Sequence, residues 1–251
     1  MIHPSAEISR GAKIAESVQI GPYCRIADNV TLESGVILEP HVTLGSGVYL
    51  NRGTHVHAFA HLGNGRNSVM VHEGCTIREF SQIGSHAEDR TPIVIHPHCY
   101  IMAYVMIRSG VEIHEHCTIT NSVYLGENCT CQSRVIVAAK AHIAKNCTLG
   151  TGSMIGGVSS VIHDIPPYCL VEGSPRATIR GLNLIGMRRN FEDRRSISHI
   201  KRAFMQLKKS HVPSLEAKQM LPAAEDAYAK QFLAFVATHK VYFQDDQNTM
   251  R

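Results

Sequence analysis

Residues 101–125 read "IMAYVMIRSGVEIHEHCTITNSVYL", and an aliphatic residue falls at every sixth position: Ile101, Ile107, Ile113, Ile119 and Leu125. Extended outward, the same step runs from Ile2 through Ile8, Ile14, Ile20, Ile26, Leu32, Leu38, Leu44, Leu50 and Val56 to Leu62. It breaks at "GNGRNSVM" (63–70), resumes at Val71, Ile77 and Ile83, and breaks again at "SHAEDRTPIV" (85–94). From Ile95 it continues through Cys131, Val137, Ile143, Leu149 and Ile155 to Val161. A helix repeats every 3.6 residues and a half-buried strand every 2, so neither gives this period. A left-handed parallel β-helix of hexapeptides does, three hexapeptides closing one triangular coil of about 18 residues. About nine coils at ~4.8 Å spacing give a prism roughly 40 Å long. The fold class is therefore mainly β, a left-handed β-helix over residues 1–172 with loops near 64–70 and 85–94, followed by a small α-helical domain over 173–251.

The period also decides how the eight cysteines read. Cys24, Cys75, Cys99, Cys117, Cys129 and Cys147 stand two residues before an inward aliphatic, where other repeats carry Ala, Val, Ser or Thr. Cysteine there is a small apolar filler. Cys99 and Cys117 are one full coil apart, as are Cys129 and Cys147, so each pair is expected to stack on adjacent coils. With no C-x-x-C spacing, no disulfide framework is expected. The alternating His55, His57 and His61 of "HVHAFAH" could ligate a metal, but surface or inter-subunit histidines are the expected reading, and no metal is expected.

Pro166-Pro167 is expected to stop the last coil. Beyond it, "DRRSISHIKRAFMQLKK" places Ile197, Ile200, Phe204 and Leu207 at helical spacing, and "AAEDAYAKQFLAFVATH" forms a second amphipathic helix. This segment is expected to cap the prism, with residues 243–251 frayed. Residues 176–210 hold ten Lys/Arg against Glu192 and Asp193, a local charge of +8 in a chain of +4. Such a segment suits phosphate or an acidic partner, or is a solvated helix face. The opening Met-Ile-His-Pro-Ser has no signal-peptide pattern, and no apolar run is long enough to be read as a membrane span. A cytoplasmic chain with no stable membrane insertion and no nucleic-acid partner is expected.

"DIPPYCLVEGSPRATIRGLNLIGMRR" (164–189) and "TIREF" (76–80, with Arg78) carry a resemblance over nearly the whole chain. They are similar to the acyl-ACP–UDP-N-acetylglucosamine O-acyltransferase family, the LpxA type. The resemblance implies a homotrimer with active sites in clefts between prisms. It also implies acyl transfer from acyl carrier protein to the 3-position of a UDP-sugar, usually the first step of lipid A synthesis. Family members carry a general-base histidine in a string like His-Ile-Ala-His-Asp, because a sugar hydroxyl needs a base to attack a thioester. A backbone N–H one coil on serves the oxyanion. Counted back from Asp164, that string falls on Met106-Ile107-Arg108-Ser109-Gly110, so the base position is Ser109. The family's Gly-His pair falls on Glu127-Asn128, and its sugar-contacting Gln on Lys145. The second loop's histidine falls on Gly84, with His86 two residues away. Asn183 and Arg189 match positions near the UDP moiety.

The expected catalytic column is Ser109, Glu127 and Lys145, each stacked one coil above the last. Asn183, Arg189, Arg78, His86 and His142 are the expected substrate-binding residues, with His142, His86 and His114 as alternative bases. Two functions are expected to compete. One is an acyltransferase with non-standard catalytic residues, using acyl-ACP or acyl-CoA as co-substrate and no other cofactor, on a nucleotide sugar such as UDP-GlcNAc or an amino-sugar derivative. In the latter case an amine acceptor relaxes the need for a base. The other is an inactive paralogue that binds a nucleotide sugar or acyl carrier protein.

Overall fold

Nearly every strand of the prism is two or three residues long and ends on the aliphatic residue of its hexapeptide. In the computed structural model, which describes residues 1–64, 68–84 and 91–243, these strands stack into three sheets of nine, eight and ten members. The first sheet contains Met106–Ile107, Tyr124–Leu125 and His142–Ile143; the second Ile93–Ile95, Glu112–Ile113 and Thr130–Cys131; the third His55–Val56, Thr76–Ile77 and Tyr100–Ile101. The chain visits the faces in that order. We call the corner between first and second sheets the first edge, between second and third the second edge, and between third and first the third edge.

Pairing is parallel and in register, Ile107 beside Leu125, Leu125 beside Ile143 and Ile143 beside Val161. All four are buried, so the core is one continuous aliphatic column per face. Across the breaks the register holds but the chain between partners is longer, Leu62 pairing with Ile83 and Ile83 with Ile107. The two breaks therefore add about three and about six residues to a coil of about 18 residues. Strands resume at Val69 and Ile93, inside the ends of the expected loops. Residues 65–67 and 85–90, including the candidate His86, lie outside the described residues.

All eight cysteines are buried free thiols. Several donate to a carbonyl on the neighbouring coil: Cys75 Sγ to His96 O (3.1 Å), Cys99 Sγ to His114 O (3.0 Å) and Cys129 Sγ to Ala144 O (2.9 Å). Ser81 Oγ makes the same bond to Met102 O at 2.7 Å, so the corner selects small side chains with one weak donor. Most turns also hold a residue at positive φ. On the third edge these include Tyr23, His41, Phe59, Phe80 and Tyr104, whose φ values are 58–62°. Their rings form a continuous stack with centroids 4.7–5.1 Å apart, because the coil spacing matches aromatic stacking distance.

The C-terminal segment begins as sheet, not helix. The coil runs on past Pro166-Pro167, which was expected to stop it: Ile165 bridges Leu149 and Cys169–Glu172 joins the third sheet in parallel beside Met154–Ile155, while Thr178–Leu182 returns antiparallel to it. Four α-helices follow among the described residues, α1 (Leu184–Asn190), α2 (Arg195–Leu207), α3 (Pro213–Met220) and α4 (Ala227–Thr238), with a 3-10 turn at Leu221–Ala223. α2 buries Ile197, Ile200, Phe204 and Leu207, as their spacing predicts. Asp226 caps α4 through Ala229 N–H (2.8 Å) and accepts from Ser196 Oγ (2.6 Å), locking the start of α2 to that of α4. Phe243, expected in a frayed tail, is buried against Phe204 and Phe232. No helix among the described residues is long and apolar enough to cross a membrane.

Candidate active site on the first edge of the prism

Ser109, Glu127 and Lys145 follow three adjacent strands of the first sheet and stack along the first edge. Asn128 N–H donates to Ser109 O (2.9 Å) and Asn146 N–H to Glu127 O (2.8 Å), so main-chain bonds hold the column at coil spacing. Gly110, at φ +70°, completes the first of these turns, where a Cβ would meet Asn128 Oδ1. Glycine adopts this φ without strain and leaves room for the Asn128 side chain folded over it.

The three side chains differ in access. Ser109 is 0% exposed, so its hydroxyl presents no surface to a substrate. Glu127 is half-buried and its Oε1 accepts from Arg108 Nε at 3.0 Å. Its own backbone N–H, the Arg108 guanidinium and the Lys145 ammonium hold its carboxyl below the usual range. Lys145 is exposed. At neutral pH the edge therefore carries Arg108⁺, Glu127⁻ and Lys145⁺. It is suited to anions and to a developing oxyanion, and poorly suited to taking a proton from a weak acid. Arg108 is the partner that sequence reasoning missed. Its signal was a position directly before Ser109, one coil below Glu127, which brings two long side chains together across one coil step.

His142 stands on the same face, outward from the first sheet, its ring stacked on Tyr124 at 4.7 Å. Tyr124 pairs in turn with Met106, so the face beside the column reads Met106, Tyr124, His142. The remaining candidates lie elsewhere on the chain. Arg78 is on the third edge, forked onto Glu79 (2.9 and 2.8 Å) and donating to Tyr100 Oη at 3.0 Å. Asn183 and Arg189 belong to α1, which lies along the second edge. There Asn183 Nδ2 donates to Gly152 O (3.0 Å) and its Oδ1 accepts from Gly186 N–H (3.0 Å). Asn183 thus fastens α1 to the prism, while Arg189 is exposed in its last turn. His55 and His57 both approach Glu39 Oε1 at 3.0 Å, and His61 bonds Gly63 O at 2.9 Å. His114 lies on the second edge beside Glu112.

The Arg78 fork, with the residue's own backbone N–H, pulls the Glu79 carboxyl down to about 2. Its stabilising effect is complete above the unfolded-state value of about 4.3 and lost as pH falls through the folded value. Glu79→Gln is expected to flatten the fall of the urea midpoint between about pH 4.5 and 2, measured by circular dichroism at a series of pH values.

Comparison with known proteins sets this geometry in a family. Residues 92–127 match the bacterial transferase hexapeptide family (six repeats), and residues 164–241 match UDP N-acetylglucosamine O-acyltransferase, Domain 2. The acyl-[acyl-carrier-protein]–UDP-N-acetylglucosamine O-acyltransferase of Campylobacter jejuni subsp. jejuni serotype O:6 is 44% identical over 250 residues, covering 95% of this chain and 94% of that one. The chain belongs to the UDP-N-acetylglucosamine O-acyltransferase, or LpxA, family. The like-named protein of Nautilia profundicola is 43% identical over a shorter match of 93 residues, spanning 37% of this chain and 36% of that one. A crystal structure of a UDP-N-acetylglucosamine acyltransferase superposes with a TM-score of 0.87 at 30% identity, covering 96% of both chains.

Much of the string that resembles the LpxA family joins prism to cap. Asp164 Oδ1 accepts from Thr148 N–H (2.8 Å) and its Oδ2 from Lys240 N–H (3.2 Å). Tyr168 donates its hydroxyl to Gln231 Oε1, and Gln231 Nε2 donates to Thr151 Oγ1 (2.9 Å). These residues and Asn183 fix where Arg188 and Arg189 emerge.

Proposed function

We propose that this protein transfers an acyl group from a carrier thioester, acyl-ACP or acyl-CoA, to a nucleotide-linked sugar of the lipid A or surface-polysaccharide type. We further propose that the accepting atom is an amine. The observation carrying this reading is the Arg108–Glu127 ion pair at 3.0 Å, standing on the edge where the resemblance puts a histidine base. A sugar hydroxyl keeps its proton at neutral pH and must lose it to a base as it attacks. A carboxylate held ionised by two cations is a weak base for that task. A neutral amine needs none. Its nitrogen attacks the thioester carbon, the C–N bond forms, the C–S bond breaks, and the thiolate leaves while the ammonium proton passes outward. Glu127 can take that more acidic proton, and Lys145 can balance the oxyanion. Ser109, buried beneath them, supports the turn instead of touching substrate.

Arg78, Arg189 and the column lie on three different edges of one prism. They can contribute to one site only across a cleft between chains, which supports a homotrimer. In that cleft Asn183 would set the position of α1 and Arg189 would face the nucleotide. His142 would line the acceptor pocket. The exposed Lys201 and Arg202 of α2 suit an acidic carrier protein or the phosphates of CoA.

The same pairing of Glu127 also favours a second reading, an inactive paralogue that binds nucleotide sugar or acyl carrier protein. Thiol release separates the two when purified protein meets acyl-ACP or acetyl-CoA together with UDP-GlcNAc or its 3-amino analogue. Turnover is expected with the amine alone, falling at least about tenfold in Glu127→Gln and little in Ser109→Ala. Turnover with UDP-GlcNAc would refute the amine assignment. Nucleotide-sugar binding without any turnover would establish the paralogue.

A further inference from the structure

The second edge carries histidines on three successive coils: His72, then His96 and His98, then His114 and His116. His72, His96 and His114 form one stack, with ring centroids 5.3 and 4.8 Å apart and interplanar angles of 5° and 11°. Val94 pairs with Glu112 and Ile95 with Ile113, so Glu112 projects outward beside the point where both His96 and His114 leave their strands. Glu112 Oε1 lies 2.9 Å from His96 Nε2 and 3.6 Å from His114 Nε2. All three ligand atoms fall within 4.8 Å of one another.

We propose that His96, Glu112 and His114 form a binding site for one divalent transition-metal ion of the zinc, cobalt or nickel class. Zinc–ligand bonds of about 2.0–2.1 Å in a tetrahedron place ligand atoms about 3.4 Å apart. The 3.6 Å separation is already close to this value, and the 2.9 Å one needs to open by about half an ångström, within the reach of two partly exposed side chains. Two imidazoles and one carboxylate suit borderline ions and exclude magnesium and calcium, which require oxygen ligands. The side chains are 28, 45 and 34% exposed, so an ion can enter and keep water in its remaining position. Among the described residues no Lys or Arg pairs with Glu112, so no cation holds the place of the metal. The thiols, all buried, do not compete.

A second cluster of the same composition supplies an internal control. Glu39, His55 and His57 also gather within 4.8 Å. There, however, His57 Nδ1 also lies 3.7 Å from Glu79 Oε1, the carboxylate that Arg78 forks, and Glu39 Oε2 accepts from Ala58 N–H at 3.2 Å. Both carboxylates beside these histidines are already engaged, so this cluster is assigned as an ion-paired network and not a metal site.

An ion at the first cluster would join the coil of His96 to the coil of Glu112 and His114, stabilising the native chain over the unfolded one. The test is titration of the full-length, chelator-treated protein with zinc by calorimetry and with cobalt(II) by absorption. About one equivalent is expected, with cobalt d–d bands and no thiolate charge-transfer band. Zinc, but not magnesium, should raise the melting temperature. The double variant His96→Ala/His114→Ala and the isosteric Glu112→Gln should each weaken binding at least about tenfold, while His57→Ala leaves it unchanged. Binding that survives in the double variant, that disappears in His57→Ala, or that is undetectable at millimolar metal would overturn the assignment. Circular dichroism of each variant separates loss of a ligand from loss of the fold.

Discussion

Ile107→Ala is expected to destabilise the protein by about 2–5 kcal/mol. Ile107 is 0% exposed and sits between Ile83 and Leu125 in the aliphatic column of the first face. Removing its branched side chain leaves a void that neighbours on fixed coils cannot close, because each strand is tied to the next by main-chain bonds at constant spacing. The effect should reach the candidate site, since Arg108 and Ser109 follow Ile107 directly. Met106, its outward neighbour, is the control, and Met106→Ala should change stability by less than about 0.5 kcal/mol. Urea denaturation followed by circular dichroism measures both. A loss of similar size at Met106 would mean that the period-six assignment of inside and outside is wrong.

Phe232→Ala should cost about 3–5 kcal/mol, and the loss should be local. Phe232 is fully buried at the centre of the helical cap, with Phe204 and Phe243 at ring-centroid distances of 6.5 and 6.4 Å. These contacts join α2, α4 and the chain after α4, at the cap end of a buried cluster that is continuous with the prism core. Hydrogen exchange should therefore quicken in α2 and α4 while the strands of the first sheet stay protected. Because α4 also carries Gln231, the partner of Tyr168, the variant should loosen the seat of α1 and move Arg189. Phe232→Leu, which keeps most of the volume, should recover part of the loss. Equal acceleration of exchange in the prism would show that cap and prism unfold as one unit.

Legibility differed sharply between prism and cap. Each hexapeptide meets the same environment, so one residue type recurs at one position, and the period alone identified the strands from Glu7–Ile8 to Ser160–Val161 and the inward cysteines. α2 and α4 were legible because each presents an apolar face at helical spacing. α1 and α3 were not, being only seven and eight residues long with one buried residue apiece, Met187 and Ala217. The strand Thr178–Leu182 lacks alternating burial, and its place comes from pairing with Cys169–Glu172, which is a tertiary event. Phe243 read as tail because its partners, Phe204 and Phe232, are far away in the chain.

At the site, counting in coils identified the column of Ser109, Glu127 and Lys145, but not its chemistry. A repeat fixes how residues line up along the prism axis. It does not fix which way a long side chain turns when several partners lie within reach. That choice is made by neighbours on adjacent coils, and it put Arg108 on Glu127, buried the Ser109 hydroxyl and spent the Asn183 amide on α1 and Gly152. The same lateral choice set His96 and His114 on one carboxylate oxygen of Glu112, where the sequence shows only scattered histidines. Sequence alone thus determined the solenoid, its core and its family resemblance, because these depend on one-dimensional periodicity and a contiguous string. Tertiary structure decided which charges neutralise one another and which groups remain for substrate or metal, because those outcomes depend on distances of about 3 Å across coils.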